Sequence, residues 1–106
     1  MKRRKVEIVI SGATGRFPSS ANLEEFKENL FNSVDMVTED DSRWPVGLWN
    51  LPGRNGKMPN MDRFDREFFG ILESDVLFID PQERLLLEAT YEAIVDAGES
   101  STFLFL

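Results

Sequence analysis

Four β-branched residues open the hydrophobic pattern. In Lys5 to Ser11, Val6, Ile8 and Ile10 fall on one alternating face and Val9 on the other. That arrangement predicts a strand covered on both sides, as a central strand of an α/β sheet is. Ser11-Gly12-Ala13-Thr14-Gly15-Arg16-Phe17-Pro18 follows as a tight loop. The period then changes: Leu23, Phe26 and Leu30 recur at i, i+3 and i+7, with Glu24, Lys27 and Glu28 turned the other way. This is an amphipathic helix ending near Asn32, with Asn22 as its N-cap and Glu25 at N3.

The strongest helical signal lies between Asp80 and Gly98. Asp80 suits the N-cap, because its carboxylate accepts from the free amides of the first turn. Pro81 at N1 loses no hydrogen bond and has a φ already fit for a helix. Glu83 at N3 is spaced to reach back to the Asp80 amide in a capping box, and Gly98 fits the left-handed position after the last turn. Arg84, Glu88, Glu92 and Asp96 recur every four residues as a narrow polar stripe, and nearly everything else is apolar or small. A helix with so thin a polar face is covered on most sides, and the remainder of this chain is too small to supply that cover. Arg84, Glu88 and Glu92 are expected to pair with one another along an exposed stripe.

Between these elements the pattern dissolves. Val34 to Asp41 is short and ends acidic, and from Ser42 to Asp62 the chain is punctuated by Pro45, Gly47, Pro52, Gly53, Gly56 and Pro59. A loop of that length in a compact domain is usually functional or packed on a larger body. Trp44 and Trp49 within it favour packing, since their apolar area needs cover. Asp65 is spaced to cap a single turn through Phe68 and Phe69 ended by Gly70, and Ser74 to cap another over 75–79. The pattern thus gives one strand, one amphipathic helix, a long loop, two short turns and one long buried helix. A lone strand is not a sheet; the expected fold class is α/β, as the opening part of a larger domain.

Charge narrows the function. The chain of 106 residues has a net charge of −7, and four of its twelve basic residues are Lys2, Arg3, Arg4 and Lys5. The acidic body that remains would repel phosphate backbones, which argues against a nucleic-acid binder; the basic cluster reads as a solvated flank. Glu7 and Gly12 break the apolar run after it, so no signal peptide is expected, and no stretch reaches the length of a membrane span. There is no cysteine and no histidine. The absence of cysteine fits a reducing compartment, and the two absences together remove thiol nucleophiles, Ser–His and Cys–His pairs and histidine-containing zinc sites.

Several motifs invite a function and are weighed against simpler readings. Gly12-Ala13-Thr14-Gly15 after a strand is like the start of a dinucleotide-binding fingerprint, with Asp35 at the distance of a ribose-binding acid. Against it, Pro18 stands where the third glycine belongs, and the helix begins only near Asn22; the simpler reading is a tight turn leaving a buried strand. Glu39-Asp40-Asp41 lacks the ligand spacing and the glycine of a calcium loop and reads as solvated. No pair among the nineteen acids is singled out as a glycosidase-type couple. Phe64, Phe68 and Phe69 read as core.

Phe64-Asp65-Arg66-Glu67-Phe68-Phe69-Gly70-Ile71, then Asp80-Pro81-Gln82-Glu83-Arg84-Leu85-Leu86-Leu87-Glu88, then Tyr91-Glu92-Ala93-Ile94-Val95-Asp96-Ala97-Gly98, resembles the N-terminal part of a β-ketoacyl synthase domain. Val6 to Pro18 followed by Asn22-Leu23-Glu24-Glu25-Phe26 is similar to the same family's first strand, turn and helix. Val34 to Thr38, Gly47-Leu48, Leu51-Pro52 and Gly56-Lys57 are nearest to the animal fatty acid synthase type. The resemblance covers Val6 to Gly98. It implies an incomplete N-terminal portion of a thiolase-like αβαβα domain over 1–98. It also implies a cytoplasmic homodimeric parent acting on acyl and malonyl groups held by an acyl carrier protein. The family's cysteine nucleophile and its two histidines match no position here, so this chain is expected to hold no catalytic, cofactor-binding or metal-binding residue and to be inactive alone. Ile79 stands where a Met is common, and Glu99 to Leu106 does not follow the family pattern, so 99–106 is expected to be an aberrant or truncated tail. Two further classes stay open: a non-catalytic module binding a full-length synthase through the Pro81–Ala97 helix, and a small NAD(P)-binding protein.

Overall fold

The computed structural model describes residues 5–98. The expected tail 99–106 and most of the basic cluster lie outside the described residues. The element order is helix α1 (Leu23–Phe31), strand β1 (Val37–Glu39), a 3₁₀ turn (Leu48–Asn50), strand β2 (Arg54–Gly56), helix α2 (Glu73–Val76) and helix α3 (Pro81–Asp96).

Local capping chemistry sets both long helices. The Asn22 side chain accepts from the Glu25 amide at 2.9 Å, and the Glu25 carboxylate returns to the Ala21 amide at 2.8 Å. α1 thus has reciprocal capping displaced by one residue from the usual box, and Asn32 closes it as C-cap. In α3 the Asp80 carboxylate accepts from the Gln82 amide at 2.7 Å, with Pro81 in the first turn. Glu83 gives its backbone N–H to Asp80, but no hydrogen bond of its side chain to Asp80 closes the expected box among the described residues. Gly98 takes φ +80°, the left-handed conformation that glycine adopts without a Cβ penalty. Asp65 caps its turn as expected, accepting from the Phe68 amide at 3.0 Å before Gly70 at φ +66°. Ser74 does not cap: α2 starts at Glu73 after Leu72, and the Ser74 hydroxyl donates to Asp75 at 2.9 Å.

The long loop contains more order than its Gly/Pro punctuation suggested. β1 and β2 pair antiparallel in the register Val37↔Gly56, Thr38↔Asn55 and Glu39↔Arg54. Lys57, just past β2, fixes the pair by donating to the Thr38 carbonyl at 2.9 Å and hydroxyl at 3.0 Å and by meeting Asp40 at 3.3 Å. Arg54 completes it with an ion pair to Asp35. Trp44 is half-buried, but Trp49 is exposed at φ +53°, so only one of the two indoles finds cover.

The expected opening strand is not formed. Lys5–Ser11 forms no strand and pairs with no described segment; Ile8 is 96% and Ile10 90% exposed. A ladder needs a neighbour, and residues 5–98 hold none for this segment. α3 stands incompletely covered, as expected of a helix for which the remainder of this chain is too small to supply cover: Leu85, Leu87 and Ile94 are half-buried, while Leu86 and Val95 are exposed. No apolar side chain among the described residues is fully buried; Ser20 alone is. Its hydroxyl donates to the Pro18 carbonyl and accepts from Asn29 at 2.9 Å, tying the loop after Phe17 to α1.

Candidate functional site

The polar stripe of α3 is engaged by the protein, with Glu88 and Glu92 half-buried and Asp96 exposed. Its partner is the loop from Gly12 to Arg16. The Arg16 guanidinium grips the Glu92 carboxylate with two parallel hydrogen bonds, at 2.7 and 2.6 Å, and lies 3.7 Å from Glu88. The Thr14 hydroxyl adds a third bond to Glu92 at 2.9 Å. One turn further on, the Asp96 carboxylate accepts from the Ala13 amide at 3.0 Å. Such a fork-to-fork pair fixes orientation as well as energy. The expected exposed stripe of mutual partners is therefore corrected: Glu92 and Glu88 turn to Arg16, more than seventy residues away in the chain.

Small residues allow the approach. Ala89, Ala93 and Ala97 run beside the acids at the same spacing. A Cβ on Gly12 would stand 2.3 Å from the Ala93 carbonyl oxygen and 2.7 Å from the Ala97 nitrogen. These are backbone atoms, which cannot swing aside as a flexible side chain would. Gly12 is glycine because the loop lies directly on the helix backbone.

Burial and charge tune the acids in opposite directions. Glu92 is held below its ordinary pKa, first by the hydrogen bond from Arg16, against desolvation and with help from Thr14. Glu88 is pushed up, because desolvation outweighs the pull of Arg16 and neighbouring Glu92 adds repulsion. Arg16 itself is raised, chiefly by its bond to Glu92. The Arg16 side chain is 13% exposed, so the pair works in a medium that screens it less than bulk water does. Arg84, at the start of the stripe, keeps its Nε buried without an acceptor among the described residues.

This geometry takes the nucleotide cradle apart. The Ala13 amide and Thr14 hydroxyl, which in a dinucleotide fold would meet phosphate, already donate to Asp96 and Glu92. Carboxylates stand where an anion would have to sit. Asp35, in the position of the ribose-binding acid, is engaged by Arg54 and by the Val37 amide.

A second tether joins the 64–70 turn to α3. Phe64 stacks on Phe69 at 5.1 Å between ring centroids, Phe68 meets Phe69 edge-on at 5.0 Å, and Phe68 meets Tyr91 edge-on at 4.7 Å. Offset and edge-on pairs of this kind are worth about 0.5–1.5 kcal/mol each beyond the area they bury. The expected phenylalanine core is therefore a surface-lying chain of rings: Phe64 and Phe69 are half-buried and Phe68 is exposed. Beside it, Phe68, Phe69, Leu86, Leu87 and Tyr91 line an open apolar groove. The acidic run is exposed, as expected, and tied into its own loop. Asp40 is held well below the usual carboxylate range, chiefly by Ser42 and Thr38, and Asp41 accepts from the Val46 amide at 2.7 Å. Among the described residues no group of three or more acidic or other ligating side chains is disposed to hold a metal ion, and no helix is long and apolar enough to cross a membrane.

A glycine-tipped loop is clamped onto a capped helix, with both a chain segment and a helix face left uncovered among the described residues. The chain belongs to the β-ketoacyl synthase family: the model of that family's N-terminal domain matches residues 5–104. It is 53% identical over 92 residues to a fatty acid synthase of Anser anser anser, a match covering 87% of this chain and 26% of that protein. It is 38% identical over 103 residues to the polyketide synthase PksL of Bacillus subtilis, covering 87% of this chain and 2% of that protein. In structure it is similar to the ketosynthase from module 6 of the bacillaene synthase of Bacillus subtilis, with a TM-score of 0.79 and 33% identity, covering 88% of this chain and 17% of that one. The expected fold class, an N-terminal portion of a ketosynthase domain, is thereby borne out. The chain spans about a quarter of the length of the goose relative.

Proposed function

We propose that this chain forms the first layer of a condensing domain of the fatty acid synthase type and contributes scaffold to it, not a reacting group. In that domain an acyl group is transferred to a thiolate and joined to malonyl carried on an acyl carrier protein, with loss of CO₂, in the service of fatty acid synthesis. The domain works as a homodimer in the cytoplasm. The carrying observation is the engaged polar stripe: Arg16 and Thr14 bond to Glu92, and the Ala13 amide bonds to Asp96. Segment Val6–Ile10 and residues Leu86 and Val95 then remain as surfaces for further layers. The lack of cysteine and histidine supports the division of labour, because holding an acyl thioester needs a thiolate.

The purified 106-residue chain, incubated with an acyl-CoA, is expected to keep its unmodified mass. A covalent acyl adduct seen by intact-protein mass spectrometry would overturn the scaffold reading.

A further inference from the structure

We infer that Asn55–Gly56, at the end of β2, is a self-modification site: the Gly56 backbone nitrogen closes on the Asn55 carboxamide, ammonia leaves, and the isoaspartate product unpins the β1–β2 pair. The chain has six asparagines. Asn22, Asn29 and Asn50 precede Leu, Asn32 precedes Ser and Asn60 precedes Met. A side chain on the following residue crowds the nitrogen that must attack, and glycine at position 56 removes that obstruction. Arg54 and Lys57 on either side are engaged, but the Asn55 carboxamide makes no hydrogen bond among the described residues. The glycine is not free to change. A Cβ on Gly56 would stand 2.6 Å from the Pro18 Cγ, an atom of a stiff ring. Packing against Pro18 thus imposes the residue that makes Asn55 labile.

Ring closure joins the Gly56 nitrogen to the Asn55 Cγ. The bond from Cγ to the carboxamide nitrogen breaks, and that nitrogen leaves as ammonia with the proton that the Gly56 nitrogen gives up. Water then opens the five-membered imide. Opening at Cγ gives aspartate. Opening at the Asn55 backbone carbonyl gives isoaspartate, whose main chain runs through Cβ and Cγ and is longer by one CH₂. Water is the only co-reactant, and nothing is oxidised or reduced. The ladder sets the pace. Pairing with Thr38 holds Asn55 extended, whereas ring closure needs its ψ to turn until the Gly56 nitrogen meets Cγ. Two three-residue strands make a marginal pair, and Lys57 pins it through the Thr38 carbonyl at 2.9 Å and Asp40 at 3.3 Å. Opening of the pair therefore gates the reaction. The added CH₂ of isoaspartate then displaces Gly56 from Pro18 and Lys57 from Thr38. Because the Lys57 carbonyl accepts from the Ser19 amide at 3.2 Å, the change reaches the loop before α1.

The purified chain is held at neutral pH and body temperature beside a synthetic peptide of residues 52–58. Peptide mapping by mass spectrometry follows the replacement of NH₂ by OH at each asparagine, and chromatography separates aspartate from isoaspartate peptides. Asn55 is expected to convert first of the six asparagines. Its rate in the chain is expected to be roughly tenfold or more below that in the peptide, and Lys57→Met to recover most of that factor. In the isoaspartate form, isolated by ion exchange, the Ser19 amide is expected to exchange with solvent roughly tenfold faster. Asn55→Asp, which adds the charge without the CH₂, is expected to leave Ser19 exchange near its original rate. Conversion of another asparagine ahead of Asn55, or an intact Asn55 while the peptide converts, overturns the site. A chain rate equal to that of the peptide, or one that Lys57→Met leaves unchanged, overturns the gate. Ser19 exchange that rises as much in Asn55→Asp as in the isoaspartate form overturns release by the lengthened backbone. None of these results bears on the scaffold reading, which concerns acyl loading.

Discussion

Replacing Glu92 with alanine should release the Gly12–Arg16 loop from α3. The change removes both hydrogen bonds of the Arg16 fork and the bond from Thr14, leaving a guanidinium that is only 13% exposed without its main partner. Breaking one side of a fully buried pair costs about 3–5 kcal/mol. The Glu92 side chain is 43% exposed, and solvent screening brings the expected loss to about 2 kcal/mol. The readout is local, since opening free energy varies across a structure. The Ala13 amide, bonded to Asp96 in the same docked loop, should exchange with solvent roughly 30-fold faster, the equivalent of about 2 kcal/mol. The Phe26 amide inside α1 should be unaffected. An unchanged Ala13 rate would mean that the loop is held by something other than the clamp.

The second large effect comes from the smallest substitution. Gly12→Ala adds one methyl group 2.3 Å from the Ala93 carbonyl oxygen, so either loop or helix must move. Overpacking of this sort typically costs about 1–3 kcal/mol, and here it opposes backbone, which puts it at the upper end. Lifting the loop withdraws Arg16 from Glu92, whose depressed pKa rests first on that bond. Carboxyl NMR titration should therefore find Glu92 back near its ordinary value in Gly12→Ala. The sign carries a pH dependence. Because the docked pKa is lowered, the clamp's contribution is fully present above the ordinary carboxylate value and is lost as pH falls through the docked one. Glu88, raised by desolvation, works the other way: its protonation at low pH relieves a penalty. Glu92 in Gly12→Ala that still titrated below its ordinary value would show that the close approach does not hold the clamp.

What the sequence revealed was local chemistry. Asn22, Asp80, Pro81 and Gly98 marked helix ends correctly because caps act within a turn or two. The Phe64–Ile71 and Asp80–Glu88 motifs identified the family because their order and spacing are specific, and the family comparison agrees. The orientation of α3 was not legible. Spacing of four shows that Arg84, Glu88, Glu92 and Asp96 share a face, but it is silent on whether that face meets water or a partner. A signal was nevertheless present. The stripe holds three acids and one base, an excess that calls for a distant cation or donors, and Ala89, Ala93 and Ala97 beside it leave room for a backbone. Read with Gly12 and Arg16, they point to a docked loop. The β1–β2 pair escaped notice because three-residue strands leave no alternating pattern to count, and its order depends on Lys57 and Arg54 reaching back across the loop. The missing ladder of Lys5–Ser11 is the converse: strand propensity was clear, and pairing needs a second segment.

The scaffold role proposed for this chain makes it a layer on which a condensing domain is built. It is tested most directly by reassembly. The ketosynthase domain of a fatty acid synthase relative, produced without the segment aligned to residues 5–98, is mixed with this chain and an acyl-CoA, and acyl loading is followed by mass spectrometry. Loading is expected to rise when the chain is added, with the acyl group found only on the complementary polypeptide, at a cysteine. Loading no greater with the chain than without it, or an acyl group on the chain itself, would contradict the claim.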